Sequence, residues 1–274
     1  MTPRVWHISG ANSGLGLELV LKVLKEGDLV VAAVRSPSKV PNNLKVDGVK
    51  VLQYDLSFSQ EEMHSYAEKA FAAFGHAQVR TQFDINVFGI LRTIRTFLPH
   101  LRAQPAATAP GSGTILNLSS IGGYRSYPSN GIYCATKFAL EAITESLAAE
   151  IAPFGLRAVP VEPGYFRTSF LSGVSGDAGS GNLAPPMQVY EGMVAHEARR
   201  HMLAVDGKQP GNPAEAAARI WEFVAGEGLC KGNEWRGRLP LGRDAGTEMR
   251  RVGEEMVETA RVYEDVWAST DFQD

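Results

Sequence analysis

Tyr133 and Lys137, two residues capable of proton transfer, lie four positions apart in this sequence. Residues at this spacing share one face of a helix, so the phenol and the ammonium would be neighbours. A phenol has a pKa of about 10, and lowering it by roughly three units requires about 4 kcal/mol of preferential stabilisation of the phenolate. An adjacent ammonium supplies part of that charge, so the pair is a candidate acid–base centre. The alternative is a partly buried Tyr beside a solvated Lys.

A glycine-rich segment, Ser9-Gly10-Ala11-Asn12-Ser13-Gly14-Leu15-Gly16, follows the first apolar run of the chain. Glycine permits a tight turn, and the N–H groups that open the next helix can approach a pyrophosphate. The glycine spacing departs from the common dinucleotide fingerprint. The segment predicts a nucleotide-binding turn, and a tight turn without a ligand is the alternative.

Two further residues would contact the adenosine part of such a nucleotide. Arg35 follows the second apolar run, where no acid is present. A guanidinium at that position favours a ribose 2′-phosphate, and therefore NADP over NAD. Asp55 follows the third apolar run and could hydrogen-bond the adenine. The alternatives are a solvated surface Arg and an Asp in a turn that precedes a helix.

The elements that position these residues alternate along the chain. Short apolar runs predict strands at 5–9, 29–34, 49–54, 114–118 and 156–161. Apolar residues at helical spacing predict helices from Leu15, over 63–75 behind a capping box of Ser59 and Glu62, over 87–101, 133–154 and 212–225, and finally over 244–267. This alternation predicts one α/β domain over 1–274, with a parallel sheet covered by helices on both faces.

The segment 169–186 is rich in Gly, Ser and Pro and has no periodicity, which predicts a mobile loop. Loops in such a position often cover a site. We therefore expect 169–206 to form a lid that sets substrate specificity.

Composition excludes several classes of protein. The chain has 274 residues, 27 Lys plus Arg and 30 Asp plus Glu, and a net charge of −3, which disfavours binding to nucleic acid or an anionic membrane surface. Cys134 and Cys230 are too few and too far apart for a disulfide framework. No run is long enough to span a bilayer, so we expect a soluble protein of the reducing cytoplasm. His196 and His201 are five apart and would not share one metal face of a helix, so no metal site is predicted.

Taken together, the motifs resemble the short-chain dehydrogenase/reductase family. The resemblance extends from the first strand to at least Thr168. It rests on the glycine-rich segment, Asp55, Asn86 in Ile85-Asn86-Val87-Phe88-Gly89, Asn117-Leu118-Ser119-Ser120, Tyr133 with Lys137, and Pro163-Gly164 with Thr168. It implies a Rossmann-type doubly wound sheet and an NADP-dependent oxidoreductase that interconverts a carbonyl and an alcohol. The substrate would be small and apolar, such as a lipid-like, polyketide or steroid-like ketone, and a homo-oligomer is compatible with the resemblance.

The resemblance also implies a role for each matching residue. Tyr133 would be the acid–base group, and Lys137 would hold the nicotinamide ribose and lower the pKa of the Tyr. Ser120, thirteen residues before Tyr133 as in the family, would bind the substrate oxygen, and Asn86 would orient the water of a proton relay to Lys137. The residues implied to bind the cofactor are Gly10, Asn12, Ser13, Gly14, Leu15, Gly16, Arg35, Asp55, Tyr133, Lys137, and, around the nicotinamide carboxamide, Pro163, Gly164, Phe166 and Thr168.

One departure from the family pattern matters. The family has an Asn-Asn-Ala-Gly strand between the helix that ends near Gly75 and the helix that carries Asn86, and here His76 runs directly into Ala77. The missing strand would lie in mid-sheet beside the first strand, and its loss would leave unpaired backbone groups and remove a wall of the cofactor site. Either the chain is a truncated gene product or splice form, or another segment fills the gap. The alternatives to an active enzyme are a catalytically impaired dinucleotide-binding remnant and an unstable product of a faulty gene model.

Overall fold

The computed structural model describes residues 5–34, 36–53, 77–103, 113–171, 190–233 and 235–271. Six parallel strands lie in this part of the chain: β1 (Val5–Ser9), β2 (Leu29–Val34), β3 (Val49–Gln53), β4 (Gly113–Leu118), β5 (Leu156–Pro163) and β6 (Leu239–Leu241). The helices are α1 (Gly14–Lys25), α2 (Ala77–Phe83), α3 (Ile90–Arg102), α4 (Gly131–Ile151), α5 (Val194–Ala204), α6 (Pro213–Ala225), α7 (Arg243–Val262) and α8 (Glu264–Ala268). None of the helices in these ranges combines the length and the apolarity needed to cross a bilayer.

The strands form two separate three-stranded sheets, in the orders β1-β2-β3 and β4-β5-β6. In the first sheet Val30 is paired with Trp6 on one side and with Val49 on the other. In the second sheet β5 is paired with both β4 and β6 and is buried along almost its whole length. The α/β class and the parallel pairing predicted from the alternating pattern are confirmed.

Between the two sheets, β1 and β4 are both edge strands. Within the described ranges no strand pairs with the free side of either one. This agrees with the expectation that the segment absent after His76 would have been the strand between them. An edge in the middle of a fold leaves N–H and C=O groups without ladder partners.

Helix α1 links the two halves of the molecule on one face. The helix packs against β2 and also against α6, whose Trp221 belongs to the core of the first sheet. Leu15 and Leu19 of α1 pack against a second cluster that contains Val161 and Leu241. This apolar contact joins the two sheets, between which the described residues form no hydrogen-bonded ladder.

Several predicted bounds shift by a few residues. The long helix starts at Gly131 and ends at Ile151, because the chain tightens into a 3₁₀ turn before Gly155 in the left-handed region. The final helix is divided at Tyr263 into α7 and α8. Asn212 accepts a hydrogen bond from the N–H of Ala214 and caps α6, as predicted. The capping box of Ser59 and Glu62 and the helix predicted over 63–75 lie outside the described residues.

Candidate active site

The glycine turn after β1 has the geometry that a phosphate-binding turn needs. Gly10 and Gly14 have φ values of +66° and +55°, a region that favours glycine. A Cβ on Gly16 would lie 2.4 Å from the carbonyl oxygen of Gly10, so the turn closes only around a hydrogen at that position. Ser13 precedes α1 in an extended conformation and makes no side-chain cap, which leaves the first N–H groups of the helix for a ligand.

Thr168, from the second half of the chain, approaches this turn. Its Cβ and methyl group lie 3.6 Å from the position that a Cβ on Gly14 would occupy. Two parts of the predicted cofactor site, 154 residues apart, therefore meet in space. The glycines, the helix N-terminus and Thr168 are groups that fit a dinucleotide. The side chain of Leu15 packs into the core, so only its backbone remains for a ligand.

Arg35 and Asp55, the residues expected at the adenosine end, lie outside the described residues. Their interpretation as NADP-selecting and adenine-binding groups stays a prediction. The strands that lead to them are present, since β2 ends at Val34 and β3 is described as far as Gln53.

The predicted catalytic residues lie where β4 ends and α4 begins. Ser120 is extended, and its Oγ accepts a hydrogen bond of 3.1 Å from the N–H of Gly122. Tyr133 lies in the first turn of α4 and hydrogen-bonds the Ser120 hydroxyl. Burial raises the pKa of Tyr133 to about 12, although the Ser120 hydrogen bond opposes this rise. The protein groups around Tyr133 thus favour the neutral phenol, which is a proton donor at neutral pH.

Lys137 lies one turn after Tyr133, and its Nζ is 5.8 Å from the centroid of the Tyr ring. Nζ donates a 2.9 Å hydrogen bond to the carbonyl oxygen of Leu118. The N–H of Ser119 donates to Val161 in β5, so the carbonyl of Leu118 points to the other side of β4, the side without a partner strand. The ammonium therefore satisfies a carbonyl on the open edge. Burial lowers the pKa of Lys137 to about 8.

Asn86 lies in a π-helical turn, Asp84–Gly89, between α2 and α3. Its Nδ2 donates to Thr136 Oγ1 at 3.0 Å, and that hydroxyl donates to the carbonyl of Tyr133 at 2.7 Å. The structure thus brings Asn86 to the residue that precedes Lys137. π-helical turns are common at functional sites because they redirect a side chain out of helical register.

The end of β5 borders the same region. Pro163 is the last residue of β5 and is paired with Leu241, and the N–H of Gly164 donates to the Leu241 carbonyl. A Cβ on Gly164 would collide with the Asp244 carboxylate, which accepts a 2.7 Å hydrogen bond from the N–H of Tyr165. The ring of Phe166 packs into the second core cluster, which leaves its backbone for the predicted contact with the carboxamide.

An aromatic side chain stands beside the acid–base pair. The ring of Phe170 lies 6.0 Å from the ring of Tyr133 at an angle of 49°, and Phe170 is 60% exposed. Asn130, which precedes α4, contacts the sulfur of Met202 in α5 at 3.7 Å. The described parts of 169–206 therefore approach the N-terminus of α4 from two sides, and 172–189 lie outside the described residues.

Sequence reasoning missed a group of charged residues behind the site. Glu141 and Glu162 are buried, and Arg238 contacts both. A signal was available, because Glu162 is the one acid in β5 and lies in the buried part of that strand. A buried strand rarely carries an acid without a partner.

Comparisons with known proteins find similarity to oxidoreductases of one family. A family model described as short chain dehydrogenase matches residues 66–178. The oxidoreductase claN of Passalora fulva is 32% identical over 190 residues, which span 61% of this chain and 84% of that protein. The 3-ketodihydrosphingosine reductase of Bacteroides thetaiotaomicron is 30% identical over 190 residues, with 62% and 66% of the two chains covered.

Solved structures share the fold. A short-chain dehydrogenase from Streptomyces avermitilis has a TM-score of 0.76 and 28% identity, with 99% of this chain and 100% of that chain covered. A short-chain dehydrogenase from Burkholderia cenocepacia in complex with NADP has a TM-score of 0.64 at 21% identity, with 94% and 96% covered. One from Burkholderia phymatum in complex with NAD has the same TM-score at 20% identity, with 99% and 97% covered. The fold thus accommodates either dinucleotide.

Proposed function

Because the chain belongs to the short-chain dehydrogenase/reductase family of oxidoreductases, we propose that it reduces the carbonyl group of an apolar substrate with NADPH. The observation that carries the proposal is the convergence of Ser120, Tyr133 and Lys137 at the carboxyl end of β4. Ligands of open α/β sheets bind at this end of the strands. Bound NADPH would supply the hydride, and every other requirement falls on the protein.

Tyr133 and Ser120 supply the proton and the oxygen-binding group. The neutral phenol of Tyr133 donates its proton to the oxygen of the substrate as hydride reaches the carbonyl carbon. The Ser120 hydroxyl, already hydrogen-bonded to Tyr133, holds that oxygen. Because its pKa is raised, the phenol is protonated at neutral pH and can donate, but it is a weaker acid than a free phenol, so proton transfer depends on stabilisation of the phenolate that forms.

Lys137 has two tasks in this proposal. Its ammonium binds the ribose hydroxyls of the cofactor, and it stabilises the phenolate that forms when Tyr133 has given up its proton. The first task requires that Nζ, which donates one hydrogen bond to the Leu118 carbonyl, direct one or more of its three N–H groups to the ribose. Asn86, tied to α4 through Thr136, would hold the water that returns a proton to Lys137.

The choice of cofactor rests on Arg35. The guanidinium would form a bidentate contact with the 2′-phosphate of NADPH, whereas a free 2′-hydroxyl calls for an acid, which the sequence lacks at this position. Asp55 would bind the adenine. Gly10, Gly14 and Gly16 would admit the pyrophosphate to the N-terminus of α1.

The substrate class rests on exposed apolar side chains within 169–206. The ring of Phe170 lies beside that of Tyr133, and Met193 and Val194, which precede or begin α5, are exposed as well. A lid over 169–206 with such residues suits a lipid-like ketone. One relative is named for reduction of 3-ketodihydrosphingosine, a ketone of that kind. Cys134 and Cys230 are free thiols, as a cytoplasmic enzyme would keep them, and we propose that location.

A second candidate function is that of a dinucleotide-binding remnant with little activity. The observation that favours it is the open edge between β1 and β4, together with the use of Lys137 to satisfy that edge. Titration of the purified chain with NADPH and NADH, followed by a ketone reduction assay, separates the two. Binding with turnover supports the reductase, binding without turnover supports the remnant, and the absence of binding contradicts both.

A further inference from the structure

The carboxylate of Asp244 lies against the backbone that follows β5. Its Oδ2 accepts a 2.7 Å hydrogen bond from the N–H of Tyr165. A Cβ on Gly164 would collide with the same carboxylate, so Asp244 lies directly on the Cα of Gly164. The φ of Gly164 is outside the left-handed region. Glycine is therefore needed at position 164 to admit Asp244, and the backbone conformation does not require it.

The start of α7 places Asp244 at this point. β6 ends at Leu241, whose carbonyl accepts a 2.9 Å hydrogen bond from the N–H of Gly164. Gly242 then turns the chain into the helix at a φ of +95°, and Asp244 is the second residue of α7. Gly164 and Tyr165 are thus held from one side by two consecutive contacts, a backbone bond to β6 and a side-chain bond to α7.

Gly211 holds another side of this segment. Its N–H donates to the carbonyl of Tyr165 at 2.9 Å, and its carbonyl accepts from the N–H of Arg167 at 3.0 Å. In a parallel bridge of this kind the backbone groups of the residue between, Phe166, point away from the bridge partner. The segment 163–168 is therefore held so that the N–H of Phe166 faces away from Gly211, as the predicted contact with the carboxamide needs.

The same helix contacts the loop between Ser120 and Tyr133. The Tyr124 hydroxyl donates a 2.7 Å hydrogen bond to the Ala245 carbonyl in the first turn of α7. The start of α7 therefore touches both segments that border the proposed site, the loop after β4 and the segment after β5. Of these two first-turn contacts, only the one from Asp244 is made by a side chain of the helix, so a substitution can remove it selectively.

We propose that Asp244 is a positioning residue for the nicotinamide end of the cofactor. It holds the N–H of Tyr165 and thereby fixes the backbone of 163–168 before the cofactor binds, so that binding has less of this segment to order. This role rests on the proposed function and deepens it, because it names what orients the segment that would hold the carboxamide. It concerns the nicotinamide half alone, since the contacts of Asp244 lie at the second sheet and the glycine turn lies at the first.

Two ligands test the two halves of the cofactor site separately. NADPH occupies both halves, whereas adenosine 2′,5′-bisphosphate has the adenosine half and lacks the nicotinamide. In Asp244→Ala we expect the affinity for NADPH to fall by about tenfold, the effect of losing one hydrogen bond to a charged group. The affinity for adenosine 2′,5′-bisphosphate should stay unchanged. Calorimetric titration of the full-length protein measures both.

Two further variants separate the hydrogen bond from overall charge and from folding. Glu254→Ala is the matched control, because it removes an acid from an exposed position of the same helix, and it should change neither affinity. Asp244→Asn keeps the shape and an acceptor but loses the charge, so its affinity for NADPH should fall by about threefold. If Asp244→Ala does not fold, an unchanged NADPH affinity in Asp244→Asn would assign Asp244 to stability and overturn the proposal.

Amide hydrogen exchange gives a readout without any ligand. Loss of the acceptor in Asp244→Ala should speed exchange of the Tyr165 N–H by about tenfold relative to Glu254→Ala. Unchanged exchange would show that Asp244 does not hold this segment and would overturn the proposal. Equal losses of affinity for NADPH and for adenosine 2′,5′-bisphosphate would also overturn it, because they would show that Asp244 acts on the fold as a whole.

Turnover separates the role of Asp244 from the proposed function. A selective loss of NADPH affinity in a protein that reduces no ketone would support the positioning role and contradict the reductase. Ketone reduction by the natural chain, with equal changes of both affinities in Asp244→Ala, would support the reductase and overturn the positioning role. A natural chain that does not bind NADPH would contradict both.

Discussion

The two sheets carry their functional groups in different ways. The sheet of β1, β2 and β3 offers mainly backbone, in a glycine turn whose shape depends on the lack of side chains at Gly10, Gly14 and Gly16. The sheet of β4, β5 and β6 offers side chains, with Ser120, Tyr133 and Lys137 buried or partly buried around one point. In the proposed function the pyrophosphate would bind mainly to peptide groups at the first sheet, with Arg35 and Asp55 at its adenosine end. The chemistry would depend on the side chains at the second sheet.

The strand expected after His76 bears on these two sheets unequally. Among the described residues nothing pairs with the free side of β1, whose glycine turn is nevertheless complete in itself. The corresponding side of β4 presents the Leu118 carbonyl, which accepts a hydrogen bond from Lys137, a proposed active-site group. We therefore expect the chain as written to be marginally stable and to lose more in catalysis than in cofactor binding. The predictions below address this difference from the largest expected effect to the smallest.

Loss of the phenol should abolish turnover. Tyr133→Phe removes the proton donor, and general acid catalysis contributes about 10²- to 10⁴-fold, so kcat should fall by at least about 10²-fold. The affinity for NADPH should stay nearly constant, because the cofactor loses only one polar neighbour. Steady-state kinetics and a fluorescence titration measure the two effects. Tyr263→Phe, an exposed Tyr at the end of α7, is the control, and substantial activity in Tyr133→Phe would remove the mechanism.

Restoring a strand should repair both sheets. Insertion of a family-like Asn-Asn-Ala-Gly strand segment after His76 would give β1 and β4 ladder partners. Each buried backbone group left unpaired costs about 1 to 3 kcal/mol, and a domain has about 5 to 15 kcal/mol of stability in total. We expect a higher melting temperature and increased reduction of a model ketone. An insert of Gly and Ser of the same length is the control, and a stable, fully active chain without any insert would refute the argument.

Crowding the glycine turn should weaken the cofactor half alone. In Gly16→Ala the new methyl meets the Gly10 carbonyl at 2.4 Å. Overpacking costs about 1 to 3 kcal/mol, which corresponds to a loss of about 5- to 150-fold in NADPH affinity if the turn must open. Gly253→Ala, at an open position of α7, is the matched control and should leave NADPH affinity unchanged. Calorimetric titration measures the affinity. Equal NADPH affinities of Gly16→Ala and the natural chain would show that this turn does not bind the cofactor.

Exchange of Arg35 should reverse the cofactor preference. Arg35→Asp removes the phosphate partner and adds an acceptor for the ribose hydroxyl. Hydrogen bonds to a charged group contribute about 1.5 to 3 kcal/mol, so the ratio of NADPH to NADH affinity should fall by at least about tenfold. Dissociation constants for both cofactors measure the ratio. Equal binding of both cofactors by the natural chain, unchanged in the variant, would show that Arg35 is a surface residue.

The smallest effect is a pH dependence of stability from Glu162. Its pKa is raised to about 8 in the fold, against about 4.3 in an unfolded chain, so the folded state binds this proton more tightly. The stability it contributes is present below about pH 4 and is lost as pH rises through about 8. Glu162→Gln lacks this titration, so its free energy of unfolding should rise relative to that of the natural chain as pH increases through that range. Denaturant unfolding at several pH values measures this, with Glu145→Gln as the control. If the prediction is wrong, the free energy of unfolding will depend on pH in the same way in Glu162→Gln and in the natural chain.

Much of this architecture follows from local patterns. The strands, the turn of Gly10 to Gly16 and the helix that carries Tyr133 and Lys137 are predictable because each depends on residues close together in the chain. The location of the gap is predictable as well, because the expected motif is absent next to His76. Local patterns succeed where propensity and packing agree.

Other features depend on residues that meet only in the folded chain. Arg238 reaches Glu162 across 76 positions, and Asp244 reaches Tyr165 across 79. No periodicity indicates either contact, although an acid in a buried strand indicates that it has a partner. The hydrogen bond from Lys137 to Leu118 depends on the open edge of β4, a consequence of topology that spacing does not reveal.

Isotope transfer tests the central claim most directly. The full-length chain and the strand-inserted chain would each be incubated with NADPH deuterated at the transferable position and with a model apolar ketone, and the alcohol would be analysed by mass spectrometry. The account predicts deuterium on the carbinol carbon, in small yield from the natural chain and in much larger yield after insertion, with none from either Tyr133→Phe version. Unlabelled alcohol, or none from any chain, would contradict the assignment of this site as a carbonyl reductase.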